Sequence, residues 1–472
     1  MPVVLVPSAA AAKPTNESAT EPTTKPIGPR RGLARFNPLA GLKRPKDIII
    51  WGLFETANHS FTLLIITLLF PIYYKNVIFT DSATGIADPD RGDFWWNITY
   101  AISSLILVGI SPIVGALADA RGIKRQLLVM TALTCVVATL LLFFVGPGHA
   151  AVASLLFVIG NIAFVLGENL IAAFLPQLCD RSNIGRVSAL GWALGYAGGV
   201  VVLLLALAMM EIFNLKTPAS WGPLFLLAGV WFLVIAMPTL VFLKDRDPPS
   251  DPQRKLNVWT VGFVRVAHTF ADRARFSQLF IYLGVFLLYM SVVQVMIVNA
   301  GNIAKDYGFN DVKLVVFVLQ ITVVTCIGAV ITGIIEDKLG HRRTIMIALV
   351  IWVLVSLSLA LIPAKGGQTW LIWVLGNAIG LGMGMIGTSS RALVGSMTPR
   401  QRTAEFFGLW GLTLKMAGFV GPGLFAVVKY VGSPTAAFFV LTALSAVAFV
   451  LMLFVDPQRG AREASAAELA GS

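Results

Sequence analysis

The chain consists of long apolar runs separated by short polar turns. Most runs are close to or above the roughly 20 apolar residues that a helix needs to cross a bilayer. They are continuous rather than alternating between apolar and polar residues, which is not the pattern of a transmembrane β-barrel. The runs predict twelve membrane-spanning helices, at residues 48–74, 95–119, 127–145, 150–178, 187–213, 221–243, 276–298, 313–335, 344–362, 370–396, 404–430 and 434–455.

The composition agrees with a membrane protein. The 472 residues are 57% hydrophobic and only 13% charged. A soluble chain of this size needs more polar residues to cover its folded surface. We therefore expect an all-α polytopic membrane protein, associated with a lipid bilayer along most of its length.

A polar stretch at 244–275 divides the twelve helices into six and six. Within it, Trp259, Phe263, Val266 and Phe270 share one helical face, which predicts an amphipathic helix on the membrane surface. The expected parts are a disordered cytoplasmic tail at 1–40, an N-terminal six-helix bundle at 41–243, a cytoplasmic linker at 244–275, a C-terminal six-helix bundle at 276–455 and a cytoplasmic tail at 456–472.

The basic residues predict the orientation in the membrane. If the N-terminus is cytoplasmic, 27 of the 36 Lys and Arg residues fall on the cytoplasmic side and seven on the other. Cytoplasmic loops carry such an excess, so both termini are expected inside. The net charge of +12 is then explained by orientation and by anionic lipid, and a nucleic-acid partner is not expected.

One short motif occurs in each half of the chain, after the second and the eighth apolar run. In each copy, an Asp precedes a Gly by three residues, and basic residues follow the Gly. We expect the two copies to close or release a cytoplasmic gate; a plain hairpin turn with cytoplasmic positive charge is the alternative. The motif residues are Gly115, Asp119, Gly122, Lys124, Arg125, Gly333, Asp337, Gly340, Arg342 and Arg343.

Each position in the motif has a physical reason. Gly122 and Gly340 allow backbone angles that a tight turn requires. A carboxylate at a helix end can pair with Arg or cap a neighbouring helix N-terminus. Gly115 and Gly333, one turn earlier, would let another helix approach closely.

This repeated motif resembles the signature loop of the major facilitator superfamily. The resemblance covers residues 48–455 and implies two pseudo-symmetric six-helix bundles around a central cavity. It also implies that the first, fourth, seventh and tenth helices line that cavity, and that transport proceeds by rocking of the two halves.

A narrower resemblance is to the bacterial "unknown major facilitator" family, which is related to vacuolar amino-acid effluxers. Residues 51–60 (WGLFETANHS), 191–199 (GWALGYAGG) and 405–408 (EFFG) match its first, fifth and eleventh helices. The chain departs from the family at Glu55, Thr56 and His59, where Asp, Trp and Ser are usual. The resemblance implies an amino-acid-like solute and a location in the bacterial inner membrane.

Polar and charged residues inside the spans are the candidate site. Such residues are costly in a bilayer unless they face a partner or a wet cavity. Glu55 and Glu168 are the candidate proton-carrying groups, and structural ion pairs are the alternative. The candidate substrate-binding residues are Asn58, His59, Asn161, Gln294, Arg391 and Lys415.

Arg391 and Glu405 flank the short loop 397–403 between the tenth and eleventh helices. We expect them to pair across these helices as part of the cytoplasmic gate, with substrate contact by Arg391 as the alternative.

The sequence carries no pattern typical of an enzyme, a metal site or a nucleotide cofactor. We expect a monomeric secondary transporter for a small polar or zwitterionic solute, driven by a proton or another coupling ion. A lipid or amphiphile flippase and a non-transporting membrane receptor are the alternatives.

Overall fold

The computed structural model describes residues 39, 42–81, 84–179, 183–245, 264, 267, 270–362, 369–399 and 402–470. Residues 42–472 belong to one compact unit. Most of the expected tail at 1–40 and most of the expected linker helix lie outside the described residues, including Trp259, Phe263 and Val266.

Twelve described helices are long and apolar enough to cross a membrane, in agreement with the twelve predicted runs. The first six are α1 Pro45–Ile78, α2 Pro89–Arg121, α3 Lys124–Leu141, α4 Ala150–Ala172, α5 Ile184–Ile212 and α6 Gly222–Phe242. The second six are α7 Ser277–Asp306, α8 Asp311–Leu339, α9 His341–Leu361, α10 Thr369–Ser396, α11 Thr403–Val431 and α12 Pro434–Met452.

The described part of the predicted C-terminal tail is a helix, α13 Pro457–Ala470. Asp456 begins it, because its Oδ1 accepts hydrogen bonds from the backbone N–H groups of Gln458 and Arg459 at 2.9 and 3.1 Å. The carboxylate of Glu463 then accepts bonds from Ser277 Oγ and the Gln278 backbone N–H at the start of α7, at 2.8 and 3.2 Å.

Glycines set the closest contacts within each half. A Cβ added at Gly198 of α5 would lie 2.6 Å from the carbonyl oxygen of Thr56 in α1. In the second half, a Cβ at Gly421 of α11 would overlap the backbone of Ser291 in α7. Helix pairs α1–α5 and α7–α11 are therefore equivalent tight contacts in the two halves.

We call the end of the bundle that carries the two motif loops the motif end, and the other the far end. Helices α2 and α11 pack together across the two halves, as do α5 and α8 and also α1 and α7. A Cβ at Gly301 of α7 would lie only 2.7 Å from the carbonyl oxygen of Leu68 in α1. The described residues thus form an all-α fold of two six-helix halves, with these helix pairs among the contacts that join them.

Helix α1 contains two π-helical segments, Phe61–Leu68 and Tyr74–Ile78. The backbone N–H of Leu69 bonds to the carbonyl of Leu64, five residues back. Pro71 lies shortly after the first segment and has no N–H to donate. Wider turns of this kind are frequent at functional sites, and the first segment borders the cavity described below.

Candidate transport cavity

A cavity of about 300 Å³ lies between the two halves. Its polar lining comes mainly from the first half and includes Glu55, His59, Thr62, Thr67, Glu168, Trp192 and Tyr196. Its apolar lining comes mainly from the second half and includes Met296, Ile297, Phe317, Val318, Ile321, Ile372, Leu375, Ile379 and Met383. The cavity therefore has one polar wall and one apolar wall.

Glu55 on α1 and Glu168 on α4 both border this cavity. Glu168 is exposed to the cavity and Glu55 is half-buried. Neither carboxylate has an ion pair or a hydrogen bond with a residue that the structure describes. The two predicted proton-carrying groups are thus brought into one space, each open to a proton or a ligand.

His59 lies one turn after Glu55, and α5 holds its ring in place. Its Nδ1 donates to the carbonyl oxygen of Glu55 at 2.9 Å, and this acceptor requires the hydrogen on Nδ1. The ring packs edge-on to Tyr196, with centroids 5.5 Å apart. A Cβ at Gly195 would lie 2.5 Å from the imidazole, so a glycine is needed beside His59.

Arg391 and Lys415 do not line the cavity but lie within electrostatic reach of its carboxylates. Arg391 acts on Glu55 and Lys415 acts on Glu168. The Arg391 Nη1 donates to Ser188 Oγ at 3.4 Å, and Lys415 Nζ donates to the Gly411 carbonyl at 3.3 Å.

The three predicted amide side chains lie outside the cavity lining. Asn58 is 1% exposed, and its amide has no hydrogen-bond partner among the described residues. Asn161 donates to Ser103 Oγ on α2 at 2.8 Å. Gln294 on α7 is half-buried and does not border the cavity. Their role as substrate-binding residues stays a prediction.

The motif loops have the expected glycine geometry. Gly122 has φ +62° and Gly340 has φ +78°, so both adopt the positive angles that glycine favours. The side chains of Asp119 and Asp337 lie outside the described part of the structure. No described atom lies within 4 Å of a Cβ at Gly115 or Gly333, so none of the described helices makes the close approach that we expected there.

One arginine of each motif binds the last carbonyls of a helix in its own half. Arg125 Nη2 donates to the carbonyls of Leu240 and Val241 on α6, at 3.1 and 2.9 Å. Arg342 donates to the carbonyls of Met452 and Leu453 at the end of α12, at 3.2 and 2.7 Å. A cation suits the negative end of a helix dipole, so these contacts hold the motif loops to α6 and α12. Lys124 is buried at the start of α3, and Arg343 is exposed.

The expected pairing of Arg391 with Glu405 is not found. Arg402 bonds both carboxylate oxygens of Glu405, at 2.7 and 2.6 Å, because it lies three residues before Glu405 at the start of α11. Arg402 also donates to Asp272 at 2.6 Å. These carboxylates, Glu405 first, raise the pKa of the Arg402 guanidinium above its ordinary value.

Four charged residues join the halves at the far end, and we call them the far-end charge cluster: Lys75, Asp93, Asp306 and Lys429. Lys75 bonds to Asp306 at 2.8 Å, which links α1 to α7. Lys429 bonds to Asp93 at 2.5 Å, which links α11 to α2, and lies 3.7 Å from Asp306. Sequence reasoning did not identify this cluster.

Hydrogen bonds from neutral side chains surround this cluster. Asn97 and Asn299 exchange two amide bonds, of 3.0 and 2.8 Å, between α2 and α7. Asn302 donates to Asp93 at 2.9 Å, and the Trp96 indole donates to the Val298 carbonyl at 3.0 Å. The far ends of α2 and α7 are thus held together by hydrogen bonds, one of which is accepted by the Asp93 carboxylate.

In the described part of the chain, no group of three or more His, Cys, Asp or Glu is placed to hold a metal ion. One wall of the cavity has acidic, hydroxyl and aromatic groups. Such groups can bind a small solute or a proton.

Known proteins identify the family of this chain. The family model described as "Vacuole effluxer Atg22 like" matches residues 96–465. The uncharacterized MFS-type transporter YxiO of Bacillus subtilis is 24% identical over 416 residues, covering 86% of this chain and 94% of that protein. Autophagy-related protein 22 of Yarrowia lipolytica is 26% identical over 338 residues, covering 64% of this chain and 56% of that protein.

A solved structure gives the fold independently. The D-xylose-proton symporter aligns with a TM-score of 0.65 at 15% identity, covering 88% of this chain and 98% of that one. An identity this low shows the fold alone, and the twelve spans agree with it. The chain belongs to the vacuole effluxer Atg22-like family and is a multi-pass membrane protein with the major facilitator transporter fold.

Proposed function

We propose that this protein is a secondary transporter that moves a small polar or zwitterionic solute across a membrane by alternating access. The observation that carries the proposal is the cavity between the two halves, which is bordered by Glu55 and Glu168 without partners among the described residues. Midplane cavities at the interface between structural repeats are where secondary transporters bind solute. The resemblance to amino-acid effluxers supports an amino-acid-like solute.

The far end supports alternating access. In this conformation, the far-end charge cluster and the Asn97–Asn299 pair connect the halves. A solute can reach the cavity from that side only if these contacts break. Rocking of the halves about the cavity would break these contacts and bring the two halves together at the motif end.

Proton coupling is part of the proposal. A charged carboxylate is costly in a bilayer, whereas a protonated one, or one paired with a cation, carries no net charge. The change in access of Glu55 and Glu168 from one side of the membrane to the other should therefore occur most readily when both carboxylates are neutralised. In the described residues, no lining group other than these two carries a carboxylate.

We further propose that the motif end faces the cytoplasm, with both termini inside, in a bacterial inner membrane. The excess of Lys and Arg in the loops at that end supports this orientation. The Bacillus subtilis relative supports a bacterial membrane as the location.

The test is solute uptake by the purified protein in proteoliposomes, with and without a pH gradient. We expect a gradient to drive uptake, and Glu168→Gln to abolish the dependence on the gradient. Glu211→Gln is the matched control, because it makes the same change at an exposed site at the far end of α5. Unchanged gradient-driven uptake in Glu168→Gln would remove the proton assignment.

An amphiphile flippase is the second candidate, because one wall of the cavity is apolar. Its test is the movement of a fluorescent phospholipid between leaflets of the same proteoliposomes. Lipid movement that requires Glu168 would favour it over solute transport.

A further inference from the structure

We propose that the cavity recognises its solute by a protonated amine held between Glu55 and Glu168, with an apolar body against the opposite wall, and that a carboxylate on the solute is not required. This inference rests on the proposed transport function. It narrows the solute from polar or zwitterionic molecules in general to organic ammonium ions with an apolar body.

The charges at the cavity support an ammonium ligand. Among its described lining residues there are two carboxylates and one imidazole, and neither lysine nor arginine is present. Neither carboxylate has a hydrogen bond or an ion pair with a described residue. A carboxylate that faces an apolar space needs a counter-charge, and a proton or an ammonium ion supplies it.

The nearby cations do not form a carboxylate-binding site in the cavity. The Arg391 guanidinium lies 6.0 Å from the centre of the Trp410 ring and bonds to Ser188. Lys415 bonds to the carbonyl of Gly411 in its own helix. Both act on Glu55 or Glu168 from a distance and neither is a lining residue, so we expect them to moderate the negative potential without contacting a bound solute.

The opposite wall fits an apolar body. Ile321 from α8 and Ile372, Leu375 and Ile379 from α10 border the cavity. Thr322 and Thr325 also line it, but their hydroxyls donate to the carbonyls of Val318 and Ile321 one turn earlier, both at 2.8 Å. The donor hydrogens of these hydroxyls are already engaged, so this wall offers mainly apolar contact.

The experiment compares three probes with the same branched carbon body and different charged groups. They are 3-methylbutylamine with an ammonium, leucine with an ammonium and a carboxylate, and 4-methylpentanoate with a carboxylate. Binding is measured as the rise in the melting temperature of the purified full chain, since a ligand that binds only the folded state raises it. We expect the amine to bind at least as tightly as leucine and 4-methylpentanoate to give no shift.

A series of straight-chain amines tests the apolar wall. Each added methylene should tighten binding about fourfold until the cavity is full. An affinity that does not change with chain length would contradict the second part of the proposal.

Substitutions test whether the two carboxylates bind the amine. Glu55→Gln and Glu168→Gln should each weaken amine binding at least tenfold, while Glu211→Gln should leave it unchanged. Each variant is compared with its own melting temperature without ligand, which separates lost binding from lost folding.

The outcomes separate this inference from the proposed function. Binding of leucine or 4-methylpentanoate without binding of the amine overturns the inference, and so does the absence of a shift with all three probes. Gradient-driven uptake of a sugar or a nucleoside in the same proteoliposomes would leave the transport function standing. Failure to transport any of a panel of amines, amino acids, sugars and nucleosides would overturn both.

Discussion

The two halves of this protein share a backbone plan but differ in the chemistry that they bring to the cavity. Helix α1 contributes Glu55 and His59, whereas α7, its counterpart, contributes Met296 and Ile297. Likewise, α4 contributes Glu168, whereas α10 contributes Ile372, Leu375 and Ile379.

Comparison of the two halves shows which structural features they share. Both halves have a positive-φ glycine in the motif loop, an arginine on the last carbonyls of their sixth helix, and a glycine contact between their first and fifth helices. These features maintain the shape of a half. The cavity lining does not follow the repeat, because it is mainly polar in the first half and mainly apolar in the second.

The largest effect that we expect concerns the far-end charge cluster, in which each half supplies one lysine. Lys429→Met should destabilise the protein by roughly 3–5 kcal/mol, because it leaves the buried Asp93 without its cation. The Asp93 side chain is 3% exposed. Lys75→Met should cost about 1 kcal/mol or less, because its partner Asp306 is 37% exposed and remains near Lys429.

Thermal melting of both variants in detergent measures this difference. The double variant Lys429→Met/Asp93→Asn should recover part of the loss, since it removes the stranded charge. Equal losses of stability in the two single variants would show that the two lysines contribute equally, which would contradict this prediction.

At the glycine contacts, in contrast to the two lysines, we expect equal losses of stability in the two halves. Gly198→Ala and Gly421→Ala should each cost roughly 1–3 kcal/mol, because the new methyl groups collide with the backbones of Thr56 and Ser291. Gly408→Ala is the matched control on α11, since no described atom lies within 4 Å of its Cβ position. It should be neutral or stabilise by up to about 1 kcal/mol through helix propensity. A loss in only one half, measured by thermal melting, would disprove the equivalence of these contacts.

The smallest effects are expected at the motif loops. Arg125→Ala and Arg342→Ala should each lower stability by about 0.3–1 kcal/mol, as each removes a cation from a helix C-terminus. Arg121→Ala and Arg343→Ala, at exposed positions of the same two loops, are the controls and should change the melting temperature little. If the controls lose as much, loop charge in general rather than the carbonyl contacts is responsible.

The sequence predicts the fold well because a bilayer imposes its own length on apolar runs. All twelve predicted runs coincide with spanning helices, although their ends differ, as in α1, which runs from Pro45 to Ile78 rather than 48–74. Helical hydrogen bonding continues past the apolar core, so hydropathy underestimates helix length. Helix α13 was missed because it is short and polar, but Asp456 followed by Pro457 is a helix-start signal that could have revealed it.

The site was only partly predictable. The cost of burying charge pointed to Glu55 and Glu168, and the structure places both at one cavity. The pairing of Arg391 with Glu405 was wrong because Arg402 is closer in sequence and geometry to Glu405. The far-end charge cluster joins residues such as Lys75 and Asp306 that lie far apart in the chain, and no local pattern reports such pairs.

The composition of the far-end charge cluster has an electrical consequence. The first half supplies Lys75 and Asp93, and the second supplies Asp306 and Lys429. Each half thus carries one positive and one negative group, and their separation moves no net charge through the field of the membrane. Membrane voltage acts only on net charge displacement. Separation of this cluster should therefore be insensitive to the membrane potential, which leaves the charged groups at and near the cavity, Glu55, Glu168, Arg391 and Lys415, to respond to any electrical driving force.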